Sequence, residues 1–175
     1  MLRKIGVLAG MLILSLYITG CASMHSGDGR RYNSELRLPR GQDRPVTGSP
    51  GQKIVKTAEK IAIDQKRAVI GSCWDFINAV YNEAGYPENK RVMIFKGNRN
   101  GPYANPGELR AGDWVMHINL EFNGVEHSSI FIRWVDRGRK IAKVMDYAGQ
   151  NKNQPGGYDE HTYSKIFCIV RPKEE

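Results

Sequence analysis

The sequence predicts an α+β domain, because helical periodicity in its first half gives way to short strands in its second half. Apolar residues recur at helical spacing from Lys53 to Arg67 and again from Cys73 to Ala84. After Gly112 the chain has the pattern of successive strands separated by tight turns. We therefore expect N-terminal helices packed on an antiparallel sheet, within one domain over residues 51–175.

The second predicted helix has a signal at each end. Ser72 is a candidate N-cap, since its side-chain oxygen can accept a hydrogen bond from a free N–H of the first turn. Gly85 is a candidate C-terminal cap, because glycine readily adopts the left-handed conformation used there. The predicted buried stripes are Ile54, Val55, Ala58, Ile61 and Ala62 in the first helix, and Phe76, Ile77, Val80 and Tyr81 in the second.

The strands and the loops between them follow from turn chemistry. Four strands are predicted, at residues 113–122, 125–135, 140–147 and 165–171. Asn123-Gly124 is typical of a two-residue hairpin turn between the first two. The segment from Pro87 to Gly107 is rich in turn-forming residues, and it is either a plain connecting loop or one wall of a functional cleft.

The first 20 residues have the features of an export signal. Arg3 and Lys4 precede an apolar run from Ile5 to Ile18, which is short for a membrane span. The run leads to Ile-Thr-Gly-Cys, ending at Cys21, which resembles a bacterial lipobox. The resemblance implies cleavage before Cys21 and attachment of lipid to its sulfur. An ordinary secretory signal and an uncleaved anchor are the alternatives.

Residues 21–50 indicate a tether, and the residue after Cys21 indicates where the protein is anchored. Residues 21–50 are rich in Gly, Ser, Pro, Arg and Asp and lack apolar periodicity, so we expect a flexible link between the lipid and the domain. Ala22, rather than an aspartate, follows Cys21. By the usual sorting pattern of such lipoproteins, this favours anchoring to the cell envelope at the outer membrane, with the domain facing the periplasm.

The charge of the chain narrows the class of partner. The net charge is +8 over 175 residues, and removal of the two basic residues of the leader leaves +6. In a cell envelope this charge suits peptidoglycan, an anionic polymer, and lipid headgroups rather than nucleic acid. The sequence shows no repeat, no zinc-type cysteine cluster and no phosphate-binding glycine loop. We expect a monomer that uses no metal and no cofactor.

The three cysteines differ in context. Cys21 is assigned to the lipid, and Cys168 lies in an apolar strand-like run where cysteine behaves as a small hydrophobe. A disulfide between Cys73 and Cys168 is permitted in an exported protein but is not expected. Cys73 is then a free thiol at a helix N-terminus, where the macrodipole and unpaired N–H groups favour the thiolate.

Hairpin registers suggest a partner for Cys73. A two-residue Asn-Gly turn pairs Phe122 with Val125, and counting back places His117 on the sheet face opposite to that of His127. Since His25 lies in the tether and His161 in a polar loop, His127 is the remaining candidate general base.

The next hairpin brings a carboxylate beside this histidine. If Val135 pairs with Lys140, Asp146 becomes a diagonal neighbour of His127. The shared face then carries His127, Ser129, Asp146 and Gln150. Asp146 is the candidate group that orients the imidazole, with Gln150 as the alternative.

Each of these residues also has a structural interpretation. A cysteine at a helix start is more often a buried small residue than a nucleophile. A lone strand histidine is more often structural, and Asp146 could pair with a surface cation. The order of the segments along the chain adds what the single residues lack.

That order resembles the NlpC-like papain-fold cell-wall peptidases and the related CHAP amidases. A helix is followed by Gly-Ser-Cys-Trp-Asp-Phe-Ile at 71–77, by a helix end at 82–86, by Leu-Arg-Ala-Gly-Asp-Trp-Val at 109–115 and by His-Ser-Ser-Ile-Phe-Ile at 127–132. The resemblance covers roughly residues 53–147 and implies a papain-like fold.

The resemblance also implies roles for individual residues. It makes Cys73 the nucleophile, His127 the base and Asp146 the orienting group. Substrate contacts are expected from Ser72, Trp74, Asp75 and Ser128. The family's usual Asp-Cys-Ser-Gly is Ser-Cys-Trp-Asp here, so small residues that shape the family's substrate subsite are replaced by bulky or charged ones.

The expected function is therefore thiol-dependent cleavage of an amide bond in peptidoglycan, as a stem-peptide endopeptidase or an amidase. Two alternatives remain. One is a non-catalytic wall-binding lipoprotein on the same fold. The other is a thiol hydrolase or acyltransferase that acts on another amide.

Overall fold

The computed structural model describes residues 48–149 and 154–174. These residues form an α+β domain, as predicted, with two helices and one six-stranded antiparallel sheet. The helices are α1 (Pro50–Glu59) and α2 (Cys73–Glu83). The strands are β1 (Arg91–Lys96), β2 (Trp114–Asn119), β3 (Val125–Asp136), β4 (Ile141–Asp146), β5 (Gly157–Thr162) and β6 (Ile166–Pro172). Their spatial order is β1-β6-β2-β3-β4-β5.

Some predictions concern other parts of the chain. The leader, the lipidation site Cys21, most of the tether and Gln150 lie outside the described residues. Within the two described ranges, no helix is long and apolar enough to cross a membrane.

Helix α1 begins immediately after a capping serine. The Ser49 Oγ accepts a hydrogen bond from the Gln52 N–H at 3.3 Å, and Pro50 occupies a first-turn position that needs no N–H. A π-helical turn at Lys60–Asp64 continues the helix. The predicted helix at 53–67 is thus confirmed, although both of its ends lie earlier in the chain. Its buried face consists of Ile54, Ala58, Ile61 and Ala62.

Helix α2 has fixed ends, as the sequence predicts. The Asp75 carboxylate accepts hydrogen bonds from the backbone N–H of Ser72 at 2.7 Å and from its hydroxyl at 2.8 Å. At the other end, Gly85 has a φ of 86°, and its N–H and that of the next residue bond back to carbonyls of the last turn. Cys73 is therefore held as the first residue of a well-defined helix.

Both faces of the sheet are covered. The helices pack on one face, in a cluster that includes Trp114, Ile130 and Met145. On the other face, Ala104 and Leu109 of the segment between β1 and β2 pack in a second cluster of buried residues. The turn-rich segment predicted at 87–107 therefore contains an edge strand, β1, and then covers the sheet.

The β2–β3 connection differs from the predicted two-residue turn. Asn119 pairs with Val125 and His117 with His127, so the loop spans residues 120–124. Asn123 and Gly124 do have positive φ values of 57° and 68°, as an Asn-Gly turn requires, but they close a longer loop. The Asn119 side chain accepts a hydrogen bond from the Glu121 N–H and starts a 3-10 turn, which ends the strand early.

This change reverses a predicted face. The observed register is displaced by three residues from the predicted one, and an odd displacement moves a side chain to the other side of the sheet. The prediction that His117 points away from His127 is therefore wrong, because the two residues face each other on the same side.

The β3–β4 register is correct where it matters for the site. Ile130 pairs with Met145, which is the register that places Asp146 diagonal to His127. The predicted Val135–Lys140 pair at the tip is wrong, because the strands pair Asp136 with Ile141. Two bulges between tip and site together restore the predicted register.

Strand β5 was not expected from the sequence. Its residues, Gly157–Thr162, were predicted as part of a polar loop, but they pair antiparallel with β4 at the edge of the sheet. Three successive residues of this strand are exposed, which explains the absence of an apolar signal. The strand buries His161, whose assignment to a loop is wrong.

The start of β2 anchors both α1 and β6. Gly112 has a φ of 86° and lies so close to Gly51 that an added Cβ would be 2.4 Å from the Gly51 Cα. The next residue, Asp113, is fully buried and accepts hydrogen bonds from the Arg171 Nε at 2.7 Å and Nη2 at 2.8 Å. The Gly-Asp pair therefore allows close helix packing and forms a buried ion pair.

The Asp113–Arg171 pair gives a stability prediction. Arg171→Met leaves the fully buried Asp113 carboxylate without its cation and should lower the free energy of unfolding by about 3 kcal/mol. Urea denaturation followed by circular dichroism measures this loss. Arg137→Met, at an exposed turn position, is the matched control and should change stability by less than about 0.5 kcal/mol. Equal effects of the two substitutions would contradict the prediction.

Candidate active site

The first turn of α2 and the start of β3 border an open cavity of about 350 Å³. Its lining residues are Gly71, Ser72, Cys73, His127, Tyr147, Ala148 and Gly149. Two of the three predicted catalytic residues, Cys73 and His127, therefore meet at one cavity, although they are far apart in the sequence.

Cys73 is a half-buried free thiol in this cavity. It is hydrogen-bonded to the His127 imidazole and to the backbone N–H of Ser128. Burial opposes the charged form of the thiol, but these hydrogen bonds and the charge of His127 together outweigh it. The pKa of Cys73 is therefore lowered from its ordinary value of 9.0, which favours the thiolate.

His127 is held between the thiol and a carboxylate. Its Nε2 is hydrogen-bonded to Asp146 Oδ1, which leaves Nδ1 as the ring nitrogen available to Cys73. Burial lowers the pKa of this imidazole. The hydrogen bonds to Asp146 and Cys73 and the charges of both have a larger, opposite effect, and the pKa is raised to about 10. At neutral pH the imidazole is therefore a cation, next to a thiol whose pKa it lowers.

Asp146 completes the predicted triad and has more partners than expected. Burial raises the pKa of its carboxyl, but hydrogen bonds from His127 and His161 lower it well below the usual range. The Tyr147 N–H also donates to Oδ1. The Tyr147 hydroxyl in turn bonds the Val69 carbonyl, which ties the cavity wall to the segment before α2.

His161 is a member of the site that sequence reasoning missed. Its side chain is 1% exposed, and its Nε2 lies 3.1 Å from Asp146 Oδ2. His127 and His161 thus bind different oxygens of one carboxylate. The only sequence signal was a histidine within a polar, edge-strand pattern, which periodicity does not detect.

His117 lies behind this group rather than on the opposite face. Its ring centroid is 5.7 Å from that of His127 and 5.2 Å from that of His161. Neither ring nitrogen has a hydrogen-bond partner among the residues that the structure describes. Burial is the main reason that the pKa of His117 is lowered, to about 3, so its ring is neutral at physiological pH.

Ser129 lies on the same side of the sheet as His127, as predicted. It is fully buried, and its hydroxyl is hydrogen-bonded to the Tyr163 hydroxyl. The Tyr163 ring contacts the His117 ring at a centroid distance of 4.8 Å. Ser129 and Tyr163 thus pack below the histidines and do not reach the cavity lining.

The predicted substrate contacts are distributed unequally. Ser72 lines the cavity, whereas Trp74, Asp75 and Ser128 are not among the described residues that line it. Trp74 is 46% exposed and leans on Trp114, with ring centroids 5.3 Å apart. Asp75 is bonded to Ser72. The Ser128 side chain is buried, and its contribution to the site is the backbone N–H on the thiol.

Three side chains of the site, those of His127, Asp146 and His161, are also of types that bind metal ions. Ligand atoms of His127, Asp146 and His161 all lie within 4.8 Å of one another, and two imidazoles with one carboxylate can hold a transition metal. However, the Nε2 atoms of both histidines are already hydrogen-bonded to the carboxylate. A proton lies on each of these contacts, so the observed arrangement is a hydrogen-bonded one.

Comparisons with known protein families, characterised proteins and solved structures find no match to this chain. Chemical interpretation of the site therefore rests on its geometry. A thiol of lowered pKa, a base on its side and a carboxylate that orients the base form the arrangement needed for nucleophilic attack by sulfur.

The contrast between Cys73 and Cys168 gives a direct prediction. Burial raises the pKa of Cys168, which contacts the Met93 sulfur, whereas the pKa of Cys73 is lowered. An ordinary thiol is only about 3% ionised at pH 7, so Cys73 should react with iodoacetamide at least about tenfold faster than Cys168. Peptide mass spectrometry over a time course separates the two rates.

The control isolates the effect of the imidazole. His127→Ala should slow alkylation of Cys73 about tenfold at pH 7, because the thiol loses its hydrogen bond and its cation. Glu126→Ala, at the exposed neighbouring position, should leave the rate unchanged. Slow labelling of Cys73 that does not respond to His127→Ala would contradict an ion pair at the site.

Proposed function

We propose that this protein is a thiol hydrolase of papain-like fold that cleaves an amide bond in peptidoglycan. The observation that carries the proposal is the hydrogen-bonded series Cys73–His127–Asp146 at the mouth of one cavity. The pKa of the Cys73 thiol is lowered, His127 is a cation at neutral pH and Asp146 is ionised, which is the direction that the chemistry needs at each member.

The mechanism follows from this geometry. The Cys73 thiolate attacks the amide carbonyl to form a tetrahedral intermediate. His127 then gives its proton to the leaving nitrogen, so the C–N bond breaks and a thioester remains. His127, now neutral, takes a proton from water, and the resulting hydroxide attacks the thioester, so the C–S bond breaks, the acid product leaves and the Cys73 thiolate and the His127 cation are regenerated. Asp146 holds the ring orientation through both steps.

Charge on the substrate oxygen can be stabilised at the start of α2. The N–H groups of the first helical turn have no intrahelical acceptor, and the helix dipole is positive there. The Cys73 N–H belongs to that turn, next to the nucleophilic sulfur. This N–H supports the tetrahedral intermediate as one donor of an oxyanion hole.

Three features support the papain-like assignment. The nucleophile begins a helix that packs on an antiparallel sheet, and the base and the orienting carboxylate lie on the adjacent strands β3 and β4. The chain order of Cys73, His127 and Asp146 is also that of the NlpC-like peptidases that the sequence resembles. The topology therefore agrees with the proposed family.

The choice of peptidoglycan rests on location and charge. An acyl chain on Cys21 would hold the protein at the envelope membrane as a monomer facing the periplasm. The positive net charge suits an anionic wall polymer, and no role for nucleic acid is proposed. Both a stem-peptide bond and the glycan–peptide amide fit the chemistry.

A non-catalytic wall-binding protein is the second candidate, motivated by the bulky Trp74 and the charged Asp75 after the cysteine. The positions of these two side chains leave the thiol accessible, which favours the hydrolase over the wall-binding protein. Trp74 leans away on Trp114, and Asp75 is bonded to Ser72, so neither fills the space in front of the thiol.

Digestion of isolated sacculi tests the proposal. The wild-type protein should release soluble muropeptides, and Cys73→Ala should reduce release to background because no other described cysteine lines the cavity. Cys168→Ala, which changes only a buried thiol outside the cavity, should retain release within about twofold. Mass spectrometry of the products identifies the bond.

Two outcomes separate the alternatives. A reactive Cys73 with no release from sacculi would indicate a different amide or an acyl acceptor other than water. An unreactive Cys73 with retained binding to sacculi would indicate the wall-binding protein.

A further inference from the structure

The site has an outer part that the triad does not explain. Behind Asp146 lies His161 on β5, and behind His161 lies Asn119 at the end of β2. All three are buried or nearly so: the Asp146 side chain is 17% exposed, and His161 and Asn119 are 1% and 4% exposed. The contacts among Asp146, His161 and Asn119 determine which group donates and which accepts in each hydrogen bond.

The orientation of the Asn119 amide is set by the backbone. Its Oδ1 accepts a hydrogen bond from the Glu121 N–H at 3.1 Å, the same contact that starts the 3-10 turn. A carbonyl oxygen can accept from an N–H but an amide nitrogen cannot, so Nδ2 must point away from that N–H. Nδ2 lies 3.3 Å from His161 Nδ1.

This orientation determines the tautomer of His161. An amide nitrogen donates, so His161 Nδ1 must accept and carries no proton. The proton of the neutral ring is then on Nε2, 3.1 Å from Asp146 Oδ2, which accepts it. The same proton occupies the position that a metal ion would need on Nε2, so the arrangement favours the hydrogen-bonded state over metal ligation.

Besides Asp146, the ionisable side chains Glu121, His117 and His127 lie near the His161 ring. Glu121 Oε2 is 3.7 Å from His161 Nδ1, beyond hydrogen-bond distance, on a side chain that is 47% exposed. Its other oxygen accepts from the Thr162 hydroxyl at 2.8 Å. The His117 ring, packed against His161 from β2, is neutral. The ring of the cationic His127 lies 5.4 Å from the His161 ring, centroid to centroid, and opposes a second positive charge there.

We propose that Asn119 and His161 are positioning residues of the active site, with Asn119 holding His161 in the Nε2–H tautomer so that it clamps Asp146 against His127. In this series the Glu121 N–H donates to Asn119, Asn119 donates to His161, and both His161 and His127 donate to Asp146. This inference rests on the proposed hydrolase function, which it deepens.

The clamp has a mechanical consequence. An aspartate with one partner can rotate about its terminal torsion, whereas here Oδ1 and Oδ2 are each held by an imidazole from a different strand. Fixing the carboxylate fixes the imidazole plane of His127, and so the direction of Nδ1 toward the sulfur.

Two substitutions at His161 separate positioning from packing. His161→Leu keeps an apolar side chain but removes the donor, and should lower the rate of muropeptide release at saturating sacculi about tenfold, with half-saturation changed less than twofold. His161→Gln retains an N–H donor toward Asp146 and should recover most of the rate. Glu160→Gln, at an exposed position on the same strand, is the control for charge.

Asn119→Asp tests the tautomer itself. The aspartate can still accept from the Glu121 N–H, but it presents an acceptor to His161 Nδ1, so His161 should become protonated on both nitrogens. Nitrogen-15 NMR of ring-labelled full-length protein in detergent reports this, with the His161 signal identified by its loss in His161→Gln. The added cation should also move the alkaline limit of muropeptide release, set near pH 10 by the pKa of His127, to lower pH.

The outcomes are distinguishable. A wild-type His161 with its proton on Nδ1, or His161→Gln as slow as His161→Leu, would overturn the positioning role. If the wild type releases no muropeptide but NMR shows the Nε2–H tautomer and its change in Asn119→Asp, the hydrolase proposal fails and the clamp stands, with alkylation of Cys73 as its remaining readout.

Discussion

The carboxylate of Asp146 is the interaction on which the rest of the site depends. It joins two imidazoles from neighbouring strands, through separate oxygens, at a position that is largely shielded from solvent. A charge in such a place is stable only when it is fully hydrogen-bonded, and each of its partners is in turn fixed by this requirement. Asp146 keeps His127 a cation, and that cation lowers the pKa of the Cys73 thiol. The pKa of the Cys73 thiol thus depends on Asp146, which acts on it through His127.

Strand geometry makes this possible. β3, β4 and β5 are adjacent in the sheet and contribute His127, Asp146 and His161, respectively. β2 lies on the other side of β3 and ends at Asn119, whose amide both starts the following turn and contacts His161. One side chain therefore ends a strand and bonds a buried histidine. Helix α2 supplies the thiol from outside the sheet, and its capped first turn fixes where the sulfur lies.

The sequence predicted the parts of this arrangement that depend on local signals. Helix periodicity and caps located α2 with Cys73 at its first position, and β3–β4 pairing placed Asp146 beside His127. The second success was partly fortuitous, since two bulges cancel between the tip and the site. The α+β class followed from the order of the segments, and the absence of a Cys73–Cys168 disulfide agrees with the apolar context of Cys168.

The errors have a common physical origin in side-chain hydrogen bonds and burial that short-range patterns do not encode. Asn119 ends β2 with its side chain, so an Asn-Gly pair with the expected backbone conformation closed a longer loop and His117 changed sides. β5 is a polar edge strand, so the burial of His161 depends on tertiary pairing with β4 rather than on its own sequence. The contribution of His161 and Asn119 to the site could therefore not be predicted from the sequence, whereas that of Cys73, His127 and Asp146 could.

The central claim is that the pKa of Cys73 is lowered because His127 beside it is held as a cation by Asp146, and titration of its thiolate tests this most directly. The ultraviolet absorbance of the thiolate is followed against pH for the wild type, with Cys73→Ala subtracted to remove the other cysteines. The account predicts a midpoint below the ordinary thiol value of 9.0 and an upward shift in His127→Ala. A midpoint at or above 9.0 that does not move in His127→Ala would contradict it.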